Sequence, residues 1–114
     1  MQKNNLNNSE RMPALIGKVV RTLRAAQGVS VNQLGVAADL EPANLSRFER
    51  GIPGGVHASK HLSLIASSLG TRASVLYAIA EKASADAEFL DNPENVLSTA
   101  KELTEVIEKF LKNL

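Results

Sequence analysis

Apolar residues along this chain fall at helical spacing in a series of short segments, each closed by a residue that stops a helix. Pro13 suits the first turn of a helix whose Ile16, Val20 and Leu23 lie at i, i+4 and i+7, and Gly28 ends it. Ser30 can cap a second helix, with Val31, Leu34, Ala37 and Ala38 on its buried face and an end near Asp39. Leu40 reads as a buried turn residue. Pro42 then opens a third helix with Leu45 and Phe48 facing inward, closed by Gly51. Ile52, Pro53, Gly54 and Gly55 form a loop; Leu62, Ile65, Ala66 and Leu69 mark a fourth helix ended by Gly70. Thr71 can cap a fifth, whose Val75, Leu76 and Ile79 lead into an alanine-rich stretch around 80–87. No segment alternates apolar and polar residues long enough to form a strand, so the fold class predicted is all-α.

Composition agrees with this pattern. The chain is 44% hydrophobic but only 4% aromatic and has no Trp, which leaves a core of Leu, Ile, Val and Ala and favours helices over sheets. Its 114 residues allow one compact core plus an appendage. The absence of Cys excludes disulfide scaffolds and thiolate zinc sites. Residues 1–12 are polar and Asn-rich, with neither the apolar run of a secretory signal nor anything to bury, and are expected to form a flexible N-terminal arm. Nowhere do the roughly 18 apolar residues of a membrane span run together, so a soluble, cytoplasmic protein is expected.

Charge divides the chain. Residues 1–80 carry nine Lys and Arg against four acids, a net +5, whereas residues 81–114 carry four Lys against eight acids, a net −4. The basic part suits a polyanion such as double-stranded DNA, and the acidic part is better suited to meeting protein. The spacing points the same way. Two helices of about eight residues joined by a short turn leave the second projecting, in a shape that fits a major groove. Leu34, Ala38, Leu40, Leu45 and Phe48 hold the pair, and Pro42, Ala43, Asn44 and Arg47 fall on the outward side. Arg can bond guanine O6 and N7, Asn can bond adenine N7 and N6, and Ala can touch the thymine methyl.

Ile16, Gly17, Val20, Leu23, Arg24, Gly28 and Ser30, then Leu34, Leu40, Leu45, Ser46, Arg47, Glu49 and Gly51, then Leu62, Ile65, Ala66, Leu69 and Gly70 form a specific combination. Together with the phrases LSRFERG and IASSLGT, they make the stretch from Ile16 to about Ala80 resemble the Cro/C1-type, or xenobiotic-response-element, helix-turn-helix family of transcriptional regulators. The resemblance implies a five-helix, lambda-repressor-like DNA-binding domain over 13–80, with an additional C-terminal amphipathic helix in 81–114. It assigns base reading to Pro42, Ala43, Asn44 and Arg47, with Arg47 foremost. It assigns phosphate contacts to Asn32, Ser46, Arg50 and Lys60, and to the backbone near Val31. It also implies a structural salt bridge between Arg24 and Glu49. No cofactor is implied.

The chain departs from that family in places. Val31 stands where the family usually has a phosphate-binding Gln, Gly35 where it has Ala, and Asp39 where it prefers Gly in a left-handed turn. Glu41 puts an acid at the mouth of the groove, where it can reject some sequences. The loop from Gly51 to Ser59 looks longer than usual, which weakens the phosphate assignment of Lys60 most.

In the tail, Asn92 can cap and Pro93 can start a helix in which Val96, Ala100, Leu103, Ile107, Phe110 and Leu114 follow a heptad spacing, with Leu97 and Leu111 widening the stripe. Such a helix has to be covered. A second subunit is the expectation, because relatives generally bind inverted repeats as homodimers; the alternative is a helix folded back onto its own core. His57 and His61 are four apart with no third ligand, so neither a metal site nor a catalytic site is expected, and no phosphate-cradling loop or activated nucleophile appears. The function expected is a dimeric transcriptional repressor. The alternative is an antitoxin-type or other protein-binding module whose acidic C-terminal helix holds a partner protein.

Overall fold

The computed structural model describes residues 8–52, 54, 56 and 58–114. Among them there are six α-helices and no strand: α1 (Asn8–Ala26), α2 (Val31–Ala37), α3 (Pro42–Glu49), α4 (Ala58–Ser68), α5 (Ala73–Ala85) and α6 (Pro93–Lys112), with one 3-10 turn at Phe89–Asp91. The chain is an all-α helix-turn-helix protein.

Helix α1 lies at the centre, touching α3, α5 and α6. Its apolar stripe, Ile16, Val19, Val20 and Leu23, is buried completely or nearly so and meets Leu34, Leu45, Leu62, Ile65, Leu76, Ile79 and Val96 in one aliphatic core. The helix begins at Asn8, ahead of the predicted start at Pro13. Pro13 therefore sits inside the helix without a hydrogen to give the preceding turn. Met12 packs on the core, so the expected arm is helical from Asn8 onward, while residues 1–7 lie outside the described residues.

Two caps form where the sequence places them. Ser30 Oγ accepts from the Gln33 N–H and Gln33 Oε1 accepts from the Ser30 N–H, a reciprocal capping box. Asn92 Oδ1 accepts from the Asn95 N–H at the start of α6. Thr71 does not cap α5. Arg72 holds the cap position, and the Thr71 hydroxyl pairs instead with the Thr104 hydroxyl on α6 at 2.6 Å. This partner is 33 residues away, so the local rule for Thr before a helix had no access to it.

Helices α1 to α4 end in the same turn, in which a residue of positive φ is followed by an N–H reaching back five residues. The bonds run from Val29 to Arg24, Leu40 to Gly35, Ile52 to Arg47 and Thr71 to Ala66, at 2.8 to 3.0 Å. Glycine occupies three of the left-handed positions, and Asp39, with φ 59°, occupies the fourth.

Helix α6 folds back onto α1 and α5. Val96 and Ala100, expected at a subunit contact, are instead buried in this chain's own core, and Leu97, Leu103 and Ile107 pack half-buried against it. The Arg72–Glu108 ion pair at 2.6 Å fastens the helix further along. Beyond that, Phe110 is 64% and Leu114 87% exposed. Residue 80, after which the charge changes sign, falls inside α5, and Ala80 itself, with Ile79 before it and Ala83 after it, is buried. No single helix among the described residues is long and apolar enough to cross a membrane; α4 and α5 pass that test only as a pair bent by 90°, and both contribute to the core.

Candidate nucleic-acid interface

Helices α2 and α3 are joined by Ala38–Glu41, with Ala38 and Leu40 buried beneath the turn. The approach is close because Gly35 has no side chain: a Cβ there would lie 2.8 Å from the Leu40 carbonyl oxygen and 3.5 Å from the Pro42 ring. Pro42 starts α3 with its φ already set for a helix. Glu41, the cap residue, makes no side-chain capping bond, as its carboxylate is one methylene too long for the short capping geometry that Ser, Asp and Asn reach.

Two devices fix α3 from behind. At Gly17 a Cβ would stand 2.1 Å from the Phe48 carbonyl oxygen, so α1 and the end of α3 approach at a distance only glycine permits. Arg24 then grips Glu49 through both arms of its fork, Nε to Oε2 at 2.7 Å and Nη2 to Oε1 at 2.8 Å, while Nη1 donates to the Val29 carbonyl at 2.9 Å. Glu49 is 4% and Arg24 14% exposed, so the carboxylate is buried and the guanidinium partly so. Hydrogen bonding to Glu49 raises the Arg24 guanidinium above the ordinary arginine value, partly offset by burial.

With Leu45 and Glu49 buried and Phe48 half-buried, the other side of α3 is outermost. Ala43, Arg47 and Arg50 are exposed, and Pro42, Asn44 and Ser46 half-exposed. The Arg47 guanidinium donates to Asn44 Oδ1, and Arg50 Nε donates to the Ser46 carbonyl at 3.3 Å. Asn32 on α2 and Lys60 on α4 are exposed. The Val31 side chain packs on the core, so a phosphate contact there has only the backbone to use. His61 is half-buried, whereas His57, Pro53 and Gly55 lie outside the described residues. Helix α4 starts at Ala58, which ends the intervening loop earlier than the expected Ser59. Among the described residues no group of three or more His, Cys, Asp or Glu is placed to hold a metal ion.

The solved structure of the clp gene regulator ClgR from Corynebacterium glutamicum is similar to this chain. The TM-score is 0.53 and the identity 25%, over 72% of this chain and 95% of that one. No family model and no curated protein sequence matches.

Two contributors to the site were not singled out for it from sequence. Gln33 completes the capping box of α2, although the Ser-x-x-Gln spacing from Ser30 carries that signal. Gly17 entered only as one residue of the resemblance; inside a helix, glycine reads as a weak position rather than as a contact.

Proposed function

We propose that this chain is a sequence-specific, DNA-binding transcriptional regulator that inserts α3 into the major groove and works as a dimer on an inverted-repeat operator. The observation that carries the reading is α3 itself, a short helix clamped from behind by Gly17 and the Arg24–Glu49 pair, with Ala43, Arg47 and Arg50 turned outward. The similarity to the structure of a clp gene regulator supports the regulatory role. Arg47 reads guanine, and Pro42 and Ala43 offer apolar contacts to thymine methyls. Asn32, Ser46, Arg50, Lys60 and the backbone at Val31 hold phosphates and set the register. The exposed end of α6, with Val106, Phe110, Leu111 and Leu114, is the surface on which a second copy sits. Occupancy of a promoter by such a dimer represses it.

Selection of bound sequences from a randomised DNA pool tests the reading. Arg47→Ala loses roughly 1 to 3 kcal/mol and relaxes one base position. Arg50→Ala weakens all sequences alike and lowers the salt slope by about 1. Absence of any salt-dependent DNA binding by the wild type refutes the reading. A stoichiometric foreign protein copurifying on the exposed end of α6 favours the antitoxin-type module instead.

A further inference from the structure

We propose that Asn44 is a positioning residue that holds Arg47 in its reading pose, rather than an independent reader of a base. This rests on α3 being the DNA-contacting helix. The two residues are three apart, so their side chains stand over one another on the helix surface. The Arg47 guanidinium donates through Nη2 to the Asn44 amide oxygen. No acid competes for it: the ion pairs among the described residues are Arg24–Glu49 and Arg72–Glu108.

The asymmetry between the partners decides which one serves the other. Arg47 is exposed and long, with many rotamers to lose on contact. Asn44 is short and half-exposed, with two side-chain torsions against the four of arginine, so its amide oxygen ranges over far less space about the helix than the guanidinium does. A guanidinium already tethered to that oxygen has less freedom to surrender when it meets a base, and it keeps N–H donors for guanine O6 and N7. Reading of adenine by Asn44 calls on the same amide oxygen to accept from N6, and Arg47 competes for it.

The test is selection from a randomised DNA pool with the full chain as wild type, Asn44→Ala, Asn44→Asp, Arg47→Ala and the Asn44→Ala/Arg47→Ala double variant. Asn44→Ala is expected to lower the preference for guanine at the Arg47-dependent position about two- to tenfold. Added to Arg47→Ala, it changes no further position. Asn44→Asp, whose carboxylate holds the guanidinium in the same place, restores the guanine preference while weakening binding to every sequence. Thermal unfolding of Asn44→Ala matches wild type, which separates positioning from folding. Relaxation of a second base position by Asn44→Ala, in both the wild-type and the Arg47→Ala background, overturns the proposal by showing that Asn44 reads for itself. Enrichment of no sequence by the wild type overturns the reading of α3, and this inference with it.

Discussion

Removing Arg24 tests the clamp behind α3. Arg24→Ala leaves the Glu49 carboxylate, 4% exposed, without either of its two short bonds, and deprives the Val29 carbonyl of its donor. Breaking one side of a buried ion pair costs on the order of 3 to 5 kcal/mol, mostly because the surviving charge stays buried. A domain of this size holds about 5 to 15 kcal/mol in all, so the loss takes roughly a fifth of it or more. In thermal unfolding followed by circular dichroism, the midpoint should fall by roughly 10 to 25 °C. The double variant Arg24→Met/Glu49→Leu removes both charges and should recover to within about 2 kcal/mol of wild type. Its DNA binding should stay impaired at temperatures where it is fully folded, because apolar contact fixes the angle of α3 less strictly than a two-bond fork. The pair should be insensitive to salt, unlike Arg72–Glu108 at the surface. The raised Arg24 value means that its share of stability is fully present below the unfolded arginine range and is lost only above it. The difference between wild type and Arg24→Ala should therefore not shrink as pH rises from about 7 to 10. A loss below about 1 kcal/mol for Arg24→Ala, the value of an exposed pair, refutes the reasoning.

Gly17→Ala gains roughly 1 kcal/mol in helix propensity yet should destabilise by about 1 to 3 kcal/mol overall, since the Phe48 carbonyl lies where the methyl would go; a net gain in urea unfolding contradicts that packing. Asp39→Val should lose on the order of 1 to 2 kcal/mol because its φ of 59° suits neither a side chain nor branching, whereas Asp39→Gly should match or exceed wild type in the same assay. Phe110→Ser should leave the melting of a monomer almost unchanged and weaken self-association in sedimentation, whereas Val96→Ala should cost about 1 to 3 kcal/mol of folding; equal effects of the two on folding contradict the division of α6.

What was legible in the sequence was whatever depends on near neighbours. The stripe at Ile16, Val20 and Leu23, the caps at Ser30 and Asn92, the stop at Gly28 and the start at Pro42 are all local, and each is where the spacing put it. The Arg24–Glu49 pair spans 25 residues and came only from resemblance. Tertiary contacts account for the remainder. Residues 8–12 are polar apart from Met12 and show no period, so their helix was invisible until Met12 met the core. Thr71 followed a distant hydroxyl instead of its own backbone. The spacing of α6 is the same whether the stripe faces its own body or a second one, and the structure divides it between the two conditions, buried at Val96 and exposed at Leu114.

That division makes α6 a poor unit of exchange. A cut at residue 80 or at Asp91, the obvious places to detach a tail, would open the core by removing Val96 and Ala100 along with the exposed end. Recombination between relatives could trade the last turns, past Glu108, without disturbing the body, but not the helix that carries them. On the proposed function, a change of assembly can therefore come by exchange of those last turns, which carry Phe110 and Leu114, or by point substitution at Val106, and neither route opens the core.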